Sequence, residues 1–530
     1  MFLFIINIIF IVIYLFLKTK KNLHMLQQNF YNENNRYLKW CGSNLKDLIF
    51  NFDILSYIII MFCATTNFKY MSTLLLIVYV ISNIIYVIKM DEEQVKLPLK
   101  ITKRVIRLIV TICIINFGII GYFIGTFNEF YIYFYFIILQ LLVTFNFFIV
   151  YLANIINIPI EKMVYNSFKN KAIDKLDSMT NLKVIGITGS YGKTSTKNIL
   201  NTLLNTKYDS MTTPKNFNTK YGLIITINNY LDKFNDFFVA EMGAFKRGSI
   251  HDLCDMVLPE YGILTKIGEA HLDSFGSVDN IVKGKFELIE SLPEDGVAVL
   301  NKDDERQVKY KLRNKCKVLW YGIENKDCYV YADNIKMNYK GMSFDCHFKD
   351  DEEVYTFETK LLGIPNVYNI LSSLALCHYL GIEINKLQNG VKSLESIEHR
   401  LELKKNGEVT IIDDAYNSNP VGAKMALDVL NLMPGKKIVV TPGMIELKDK
   451  QEEYNYNFGK QISEVCDEVI LVGKNQTKPI YKGLIDSKYS EKKIHIINDV
   501  KEAFKIINDI KDKDTYVLLE NDLPDIFNEK

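Results

Sequence analysis

A glycine loop between a predicted strand and a predicted helix is the strongest chemical signal in the sequence. Residues 182–187 are apolar and predict a buried strand, and a helical pattern follows the loop through Leu204. The loop reads Thr188-Gly189-Ser190-Tyr191-Gly192-Lys193-Thr194-Ser195. Gly189 and Gly192 let backbone N–H groups turn toward phosphate oxygens, and Lys193 places a positive charge beside the β- and γ-phosphates. The sequence therefore predicts a loop that binds a nucleoside triphosphate.

Three side chains around this loop are candidates to hold Mg²⁺. Thr194 offers a hydroxyl within the loop, Glu241 ends the apolar run FFVAE, and His271 ends the run YGILTKIGEAH. Magnesium prefers oxygen ligands, so an imidazole is less usual. Residue type alone therefore favours Thr194 and Glu241, whereas an isolated His271 would more often be an ordinary loop histidine.

Further motifs resemble the Mur ligase family. The loop motif TGSYGKTSTK is followed in order by AEMGA (240–244), IGEAHLDSFGS (267–277), LPEDGVAVLNKDD (292–304), GIPNVYNILSSLAL (363–376), EHRLE (398–402), DDAYNSNP (413–420) and GMIEL (443–447). The resemblance covers residues 182–473. Within the family, this region is most similar to the branch that adds D-alanyl-D-alanine to a UDP-muramoyl tripeptide. It implies an ATP- and Mg²⁺-dependent ligase that forms an amide bond through an acyl phosphate.

The resemblance assigns roles that the residue types do not. It implies that His271 is a further metal ligand and that Lys285, in VKGKFEL, is carbamylated and helps to hold a second metal ion. Lys283 is an alternative register for that lysine. Lys193, His271, Lys285 and Arg400 are the predicted catalytic residues, and Thr194, Glu241, His271 and Lys285 are the predicted metal ligands.

Residues of two later motifs complete the predicted nucleotide site. Asn366 and Asn369 lie three apart on one helix face and can present amides to an adenine edge. Arg400 and Asp414 resemble residues that reach the γ-phosphate and the ribose. The full predicted set for binding nucleotide is Gly189, Ser190, Gly192, Lys193, Thr194, Ser195, Asn366, Asn369, Arg400 and Asp414. Asn216 and Asn218 are weaker candidates for nucleotide or substrate.

Two departures from the family pattern concern the substrate. Apolar segments stand where the family carries the N-terminal domain that holds the UDP-sugar, and residues 518–527 read LLENDLPDIF where the family has a basic KGSR-like motif. We therefore expect the acceptor, rather than the chemistry, to differ. A further departure, Pro365 where the family usually has a histidine, concerns the local geometry beside Asn366 instead.

The element pattern predicts an α-helical membrane domain followed by two α/β domains. Residues 1–155 form the membrane domain, 156–181 a linker helix, 182–396 a central ATP-binding domain with a mostly parallel sheet, and 397–530 a Rossmann-like C-terminal domain.

Five apolar stretches predict transmembrane helices, at residues 2–17, 48–66, 71–88, 105–127 and 130–152. Lys and Arg are concentrated in the loops after the first and third stretches, and such loops are usually cytoplasmic. The expected topology is a multi-pass cell-membrane protein with its N-terminus outside and its catalytic domains in the cytoplasm. Asp53 lies near a span end and is expected to be solvated at the membrane interface.

The composition excludes two other classes of function. The formal net charge of +1 argues against a nucleic-acid partner. The nine cysteines include no CxxC pair, which argues against a zinc ribbon and fits a reducing compartment.

The sequence as a whole predicts an ATP-dependent carboxylate–amine ligase in the biosynthesis of peptidoglycan or cell-wall precursors. Its expected partners are the lipid bilayer, ATP, a carboxylate acceptor such as a lipid-linked muropeptide, and an amino acid or dipeptide that supplies the amine. One alternative is a D-alanyl-D-alanine-adding ligase with a soluble substrate that is merely anchored to the membrane. Another is an ATP-driven transporter or a nucleotide-sensing scaffold.

Overall fold

The chain folds into two compact units, Met1–Ser167 and Phe168–Lys530. They are seen in a computed structural model that describes residues 2–66, 70–92, 98–126, 128–269, 272–415, 418–445 and 447–522. The first unit is α-helical, and the second contains two β-sheets.

The helices of the first unit are long and mostly apolar. They are α1 (Phe2–Gln28), α2 (Arg36–Ser43), α3 (Leu45–Leu48), α4 (Asn51–Thr66), α5 (Met71–Glu92), α6 (Lys103–Gly125), α7 (Ile132–Thr144) and the start of α8 (Asn146–Asp177), with 3₁₀ turns at Phe30–Asn35 and Glu129–Tyr131. Within the described residues, four helices are long and apolar enough to cross a membrane, namely α1, α5 as far as Lys89, α6 and α8. Helices α4 and α7 are also apolar but contain 16 and 13 residues.

Two details differ from the sequence-based expectation. The stretch 130–152 is divided at Phe145 between α7 and α8. The linker helix expected at residues 156–181 is not a separate helix, because α8 continues through Pro159 to Asp177. A proline inside a helix removes one backbone hydrogen bond, and here the remaining bonds of a 32-residue helix keep it continuous.

The prediction that Asp53 is solvated is wrong. Asp53 is 1% exposed, and its Oδ2 accepts hydrogen bonds from Lys18 Nζ and from the Phe50 backbone N–H. The Lys18 ammonium also donates to the carbonyl oxygens of Leu48 and Val143, at 3.3 Å each. All three ammonium protons therefore have acceptors, and the pair joins α1 to α4 and to the end of α7.

The second unit begins with a nine-stranded sheet in the order β2-β3-β1-β4-β5-β6-β7-β8-β9. Its strands are β1 (Lys183–Thr188), β2 (Ser210–Thr212), β3 (Phe237–Glu241), β4 (Tyr261–Leu264), β5 (Val297–Asn301), β6 (Lys317–Gly322), β7 (Val330–Asn338), β8 (Gly341–Phe348) and β9 (Val354–Thr359). The pairings from β2 to β7 are parallel, and β8 and β9 are antiparallel to their neighbours.

Helices cover both faces of this sheet. They are α9 (Lys193–Leu204), α10 (Lys220–Asn229), α11 (His251–Val257), α12 (Leu272–Phe275), α13 (Val278–Glu290), α14 (Glu305–Val308), α15 (Ile364–Tyr379) and α16 (Ile384–Lys392). Side chains alternate along β1, so that Ile185 and Ile187 belong to the core shared with α9, whereas Gly186 lies against Leu288 of α13. The register sets Glu241 beside Ile187 at the carboxyl edge of the sheet, next to the glycine loop. Ligands of open parallel sheets bind at this edge.

The second sheet contains six strands in the order β10-β11-β15-β12-β13-β14. Its strands are β10 (Glu402–Asn406), β11 (Val409–Asp414), β12 (Lys436–Thr441), β13 (Glu468–Val472), β14 (Ile494–Ile497) and β15 (Thr515–Glu520), and its helices are α17 (Pro420–Asn431), α18 (Gln451–Val465), α19 (Lys478–Asp486) and α20 (Val500–Ile510), with 3₁₀ turns at Lys448–Lys450 and Glu491–Lys493. Strand β10 pairs antiparallel with β11, and the other pairings of these six described strands are parallel. The predicted fold class, apolar helices followed by two parallel-rich α/β layers, is confirmed.

Candidate active site

The glycine loop has a backbone that only glycine fits at two positions. Gly189 has φ +150°, and a Cβ there would lie 1.9 Å from Thr265 Oγ1. Gly192 has φ +84°, and a Cβ there would lie 2.5 Å from Asn369 Oδ1. Both values lie in the region that disfavours L side chains. The loop is therefore tightly packed between β4 and α15, with α9 starting immediately after it.

The Lys193 side chain folds back onto the backbone of its own loop. Its Nζ donates to the carbonyl oxygens of Gly189 at 2.8 Å and Ser190 at 3.3 Å. Burial lowers the pKa of Lys193, the nearby Glu241 carboxylate opposes this shift, and Arg400 adds to it. The lysine thus lies where an incoming phosphate can replace the loop carbonyls as its acceptor. Ser190 is itself fixed by donating from Oγ to the Gly268 carbonyl oxygen at 3.0 Å.

Arg400 reaches the loop from the segment that leads into the second sheet. Its Nη2 donates to Thr194 Oγ1 at 3.4 Å. The residues on either side of it, His399 and Leu401, have φ of 60° and 50°. Two flanking residues in the left-handed region cost free energy, which the surrounding packing must offset. Ser195, the next residue of the loop, lines the same cavity as Arg400.

Glu241 is held by several contacts at the end of β3. It is 1% exposed, its Oε1 accepts from Asn218 Nδ2 at 3.1 Å, and its Oε2 lies 3.3 Å from Lys197 Nζ. The backbone N–H of Glu241 also donates to Thr213 Oγ1 at 3.3 Å. The carboxylate is therefore buried in a fixed orientation.

The donors present fit a magnesium ion in part. Glu241 Oε2 is a buried oxygen that accepts no hydrogen bond from the described residues, and the Thr194 hydroxyl supplies a second oxygen of the type that Mg²⁺ prefers. No group of three or more His, Cys, Asp or Glu side chains that could hold a metal ion occurs within the parts of the chain that the structure describes. His271, the third expected ligand, lies outside the described residues.

Lys285 rather than Lys283 is the buried lysine of α13. Lys285 is 2% exposed, whereas the side chain of Lys283 is 42% exposed and pairs with Asp279 at 2.7 Å. Burial lowers the pKa of Lys285 well below its usual value, and the charge of Lys193 lowers it further. This favours the neutral amine, which is the form that carbamylation requires.

A cavity between the two sheets lies beside the loop. It is lined from the first sheet's side by Tyr191, Asn366 and Asn369, and from the second by Asp414 and Met425. Asn369 Oδ1 accepts from Thr196 Oγ1 at 3.2 Å, and its amide donates to Asn366 Oδ1 at 3.3 Å. Pro365 stands in the first turn of α15, where proline is well tolerated.

Asp414 carries a carboxyl group with an unusual proton affinity. Burial raises its pKa to about 6, although Arg400 and the backbone N–H of Leu401 oppose the shift. The adjacent carboxyl of Glu520 is wholly buried, and burial and the Asp414 charge raise its pKa well above the usual value. Glu520 is therefore the member of the pair that holds a proton.

Two family models match this part of the chain in sequence order. Residues 187–377 match the Mur ligase middle domain, and residues 399–519 match the Mur ligase, glutamate ligase domain. The chain belongs to the Mur ligase family. The resemblance predicted from the ordered motifs is thereby confirmed.

Individual Mur ligases are similar to slightly more than half of this chain. The UDP-N-acetylmuramoyl-tripeptide--D-alanyl-D-alanine ligase of Bacillus subtilis is 33% identical over 298 residues, which is 55% of this chain and 63% of that protein. The enzyme of that name from Escherichia coli is 28% identical over 299 residues, 55% of this chain and 65% of that protein. The chain thus spans less than two thirds of the length of these relatives. The crystal structure of the MurF ligase of Thermotoga maritima with ADP superposes with a TM-score of 0.59 and 27% identity, over 67% of this chain and 80% of that one.

Three residues of this Mur ligase site were not predicted from the sequence. Lys197 holds Glu241, the Tyr191 ring packs on Gly268, and Glu269 accepts hydrogen bonds from α18 and the turn before it. Lys197 ends the TGSYGKTSTK motif and lies one helical turn after Lys193, so its position was a usable signal. Tyr191 and Glu269 lie within the family motifs, but their partners come from distant segments.

Proposed function

We propose that this Mur ligase is a membrane-anchored enzyme that joins a carboxylate to an amine at the expense of ATP. The observation that carries the proposal is the convergence of three segments on one point. The glycine loop, the buried Glu241 and Arg400 from the second α/β layer meet at the carboxyl edge of the first sheet. Lys193 and Arg400 place positive charge around the expected position of the triphosphate. The negatively charged Glu241 carboxylate lies at the same place.

The proposed reaction has two steps. A carboxylate oxygen of the acceptor attacks the γ-phosphorus of ATP, the bond to the β,γ-bridging oxygen breaks, and ADP leaves. The amine nitrogen then attacks the acyl carbon, the bond to phosphate breaks, and the nitrogen loses a proton to solvent or to phosphate. Lys193 and Arg400 stabilise the charge that develops on the transferred phosphoryl oxygens. Thr194 and Glu241 would hold Mg²⁺, which neutralises phosphate charge when bound.

The nucleotide would lie in the cavity between the two sheets. Its lining includes Asn366, Asn369 and Asp414 together with Gly192 and Ser195 of the loop. These amide, carboxylate and loop groups can contact adenine, ribose and phosphates respectively. The Thermotoga maritima ligase was crystallised in complex with ADP, which supports a nucleotide at the corresponding place.

A membrane-presented acceptor is the proposed substrate. The matched region starts at residue 187, and the residues before it form apolar helices, four of which are long enough to cross a bilayer. Large apolar side chains on these helices are exposed, for example Phe2 at 77%, Ile58 at 58% and Ile114 at 68%. Such a surface is typical of contact with lipid. We therefore propose a cell-membrane location, with the catalytic unit in the cytoplasm and a lipid-linked muropeptide as acceptor.

The relatives' names favour a second candidate. They describe the addition of D-alanyl-D-alanine to a UDP-linked tripeptide. If this chain performed that reaction, its helices would be an anchor only. The amine would then be the dipeptide rather than an amino acid selected by this chain.

A direct assay separates the two candidates. Full-length protein in detergent or vesicles is supplied with ATP, Mg²⁺, D-alanyl-D-alanine or single amino acids, and either a lipid-linked or a UDP-linked muramoyl peptide. Phosphate release and the product mass are measured. Preference for the lipid-linked acceptor supports the proposal, whereas equal or faster turnover of the UDP-linked acceptor overturns it. The variant Lys193→Ala controls for contaminating ATPases.

A further inference from the structure

A second lysine of α9 is as deeply buried as any charged group of the site. Lys197 is 1% exposed and lies one helical turn after Lys193. The described lining of the nucleotide cavity does not include it. A buried ammonium needs partners for its charge and its protons, so its contacts indicate what it does.

The partners of Lys197 belong to two other segments. Its Nζ donates to the carbonyl oxygens of Thr213 at 2.8 Å and Lys215 at 2.5 Å, and it lies 3.3 Å from Glu241 Oε2. Lys215 has φ 48°, an unfavourable value for a lysine. One ammonium thus ties α9 to the loop that also carries Asn218 and to the end of β3.

The same loop fixes the other side of Glu241. Asn218 donates to Oε1, and a Cβ on Gly243 would lie 2.9 Å from the Asn218 amide. The Glu241 carboxylate is therefore bound between Lys197 on one oxygen and Asn218 on the other. The Asn218 contact depends on the course of the loop, which Lys197 holds through the carbonyl oxygens of Thr213 and Lys215.

Glu241 has other cations within electrostatic reach. Its charge acts on Lys193 and Lys285 as well as on Lys197. Lys193 nevertheless donates to the loop carbonyls and not to Glu241. A buried carboxylate left without its partner is strongly unfavourable, so loss of Lys197 would draw Lys193 toward Glu241 and away from the phosphates.

We propose that Lys197 is a positioning residue that holds Glu241 in place and thereby leaves Lys193 available for the triphosphate. This inference rests on the proposed function, because it requires a Mg²⁺–nucleotide site. It assigns Lys197 no contact with the substrate or the reacting atoms.

The test is nucleotide binding to the full-length protein, measured by calorimetry with Mg²⁺ and a nonhydrolysable ATP analogue. Lys197→Met is expected to weaken binding at least ten-fold. The matched control is Lys207→Met, because Lys207 follows the same helix and donates to a single carbonyl oxygen, that of Gly381. Binding by the control should stay within two-fold of the unchanged protein. Unchanged affinity in Lys197→Met, even with lower thermal stability, would show a merely structural role and overturn the inference.

A double-variant comparison tests the route through Glu241. Glu241→Gln removes the charge that Lys197 balances, so Lys197→Met should change affinity less than two-fold in that background. A further ten-fold loss there would mean that Lys197 acts on the nucleotide directly, which contradicts the inference. If Lys197→Met alone does not fold, the double variant can still be compared with Glu241→Gln, because it contains no unpaired Glu241 carboxylate. Absence of binding by the unaltered protein would instead count against the proposed function.

Discussion

Lys193 is the residue whose charge the proposed chemistry needs most. Its Nζ lies against the carbonyl oxygens of its own loop, where a phosphate can take their place. We expect Lys193→Met to lower the rate of phosphate release by about 10²–10³-fold, the loss typical of removing a group that stabilises transition-state charge. The exposed Lys183 at the start of β1 supplies the control. Lys183→Met should retain full activity, and a comparable loss in both variants would contradict the assignment.

Asp414 should make nucleotide affinity depend on pH. A carboxylate accepts hydrogen bonds from ribose hydroxyls better than a carboxylic acid does. Because burial raises the pKa of Asp414 to about 6, the ionised form is lost as the pH falls through that value. ADP affinity measured between pH 5 and pH 8 should therefore be constant at the upper end and decline below pH 6.

Glu520 provides the control for this pH profile. Its protonated carboxyl lies beside Asp414 across β11 and β15, and a hydrogen bond from it favours the Asp414 carboxylate. Glu520→Gln retains a donor and should leave the midpoint near pH 6. Glu520→Leu removes the donor and should move the midpoint upward. A midpoint that stays unchanged in Glu520→Leu would show that another group titrates.

The residues of the glycine loop were predictable because their function depends on local spacing. Lys197 was not selected, since a lysine on a helix is most often a solvated surface residue, and the segments that bury it come later in the chain. His271 lies outside the described residues, so its expected role stays a prediction. Sequence spacing thus identifies groups near the phosphates better than the groups that support them.

At the scale of elements, an ion pair connects the two α/β layers of the catalytic unit. Glu269 follows β4 and accepts from Lys450 Nζ at 2.9 and 3.0 Å and from Tyr454 Oη at 2.9 Å. Burial alone would raise the pKa of Glu269, but the hydrogen bonds from Lys450 and Tyr454 lower it overall. This contact favours the arrangement in which both layers line the cavity.

Loss of that ion pair should weaken nucleotide binding modestly. Lys450 is partly exposed, so the pair is worth about 0.2–1 kcal/mol, and Lys450→Met should weaken ADP binding by at most about five-fold. The effect should shrink as salt is added, because ions screen exposed charges. Lys460→Met, on the outer part of α18, should bind as the unchanged protein does. A salt-independent loss would point to a change in packing instead.

The buried pair of the first unit sets the packing of its helices. Lys18→Met leaves the Asp53 carboxylate buried without its cation and should destabilise the unit by about 3–5 kcal/mol. The double variant Lys18→Met with Asp53→Asn removes the unpaired charge and should recover part of that loss. Thermal unfolding of the full-length protein in one detergent measures both. Equal destabilisation of the single and double variants would show that the carbonyl contacts of Lys18 matter more than the ion pair.

The division of the fifth apolar stretch could not be predicted from its composition. Residues 130–152 are continuously apolar, so periodicity gives no boundary. The helix restarts at Asn146, whose side chain accepts from Asn22 Nδ2 at 2.9 Å and donates to Thr19 Oγ1 at 3.0 Å. The break between α7 and α8 therefore coincides with contacts to α1, and the helix propensity of the residues at the break does not predict it. Most parallel strands of the second unit, by contrast, follow from their own apolar runs, whereas the antiparallel edge strand β10 reads ELKKN and has no such signal.

At the scale of the whole molecule, the number of crossings decides where the catalytic unit lies. If only the four long helices crossed the membrane, both ends of the chain would share one side. An ATP-using catalytic unit would then require a cytoplasmic N-terminus, with the basic loop after α1 outside. Such an arrangement opposes the usual distribution of Lys and Arg. A crossing by α4, with α7 and α8 together forming the fifth, restores that distribution.

Labelling of single introduced cysteines distinguishes four crossings from five. Ser43→Cys lies in the basic loop and Phe130→Cys between α6 and α7, both at exposed positions. With five crossings, a membrane-impermeant maleimide added to intact cells should label position 130 but reach position 43 only after permeabilisation. With four crossings and a cytoplasmic catalytic unit, both positions would be labelled from outside. Eight of the nine native cysteines are buried, so background labelling of the native cysteines should be low. Because position 130 is external in both arrangements, it verifies access of the reagent, and the reaction at position 43 determines the topology.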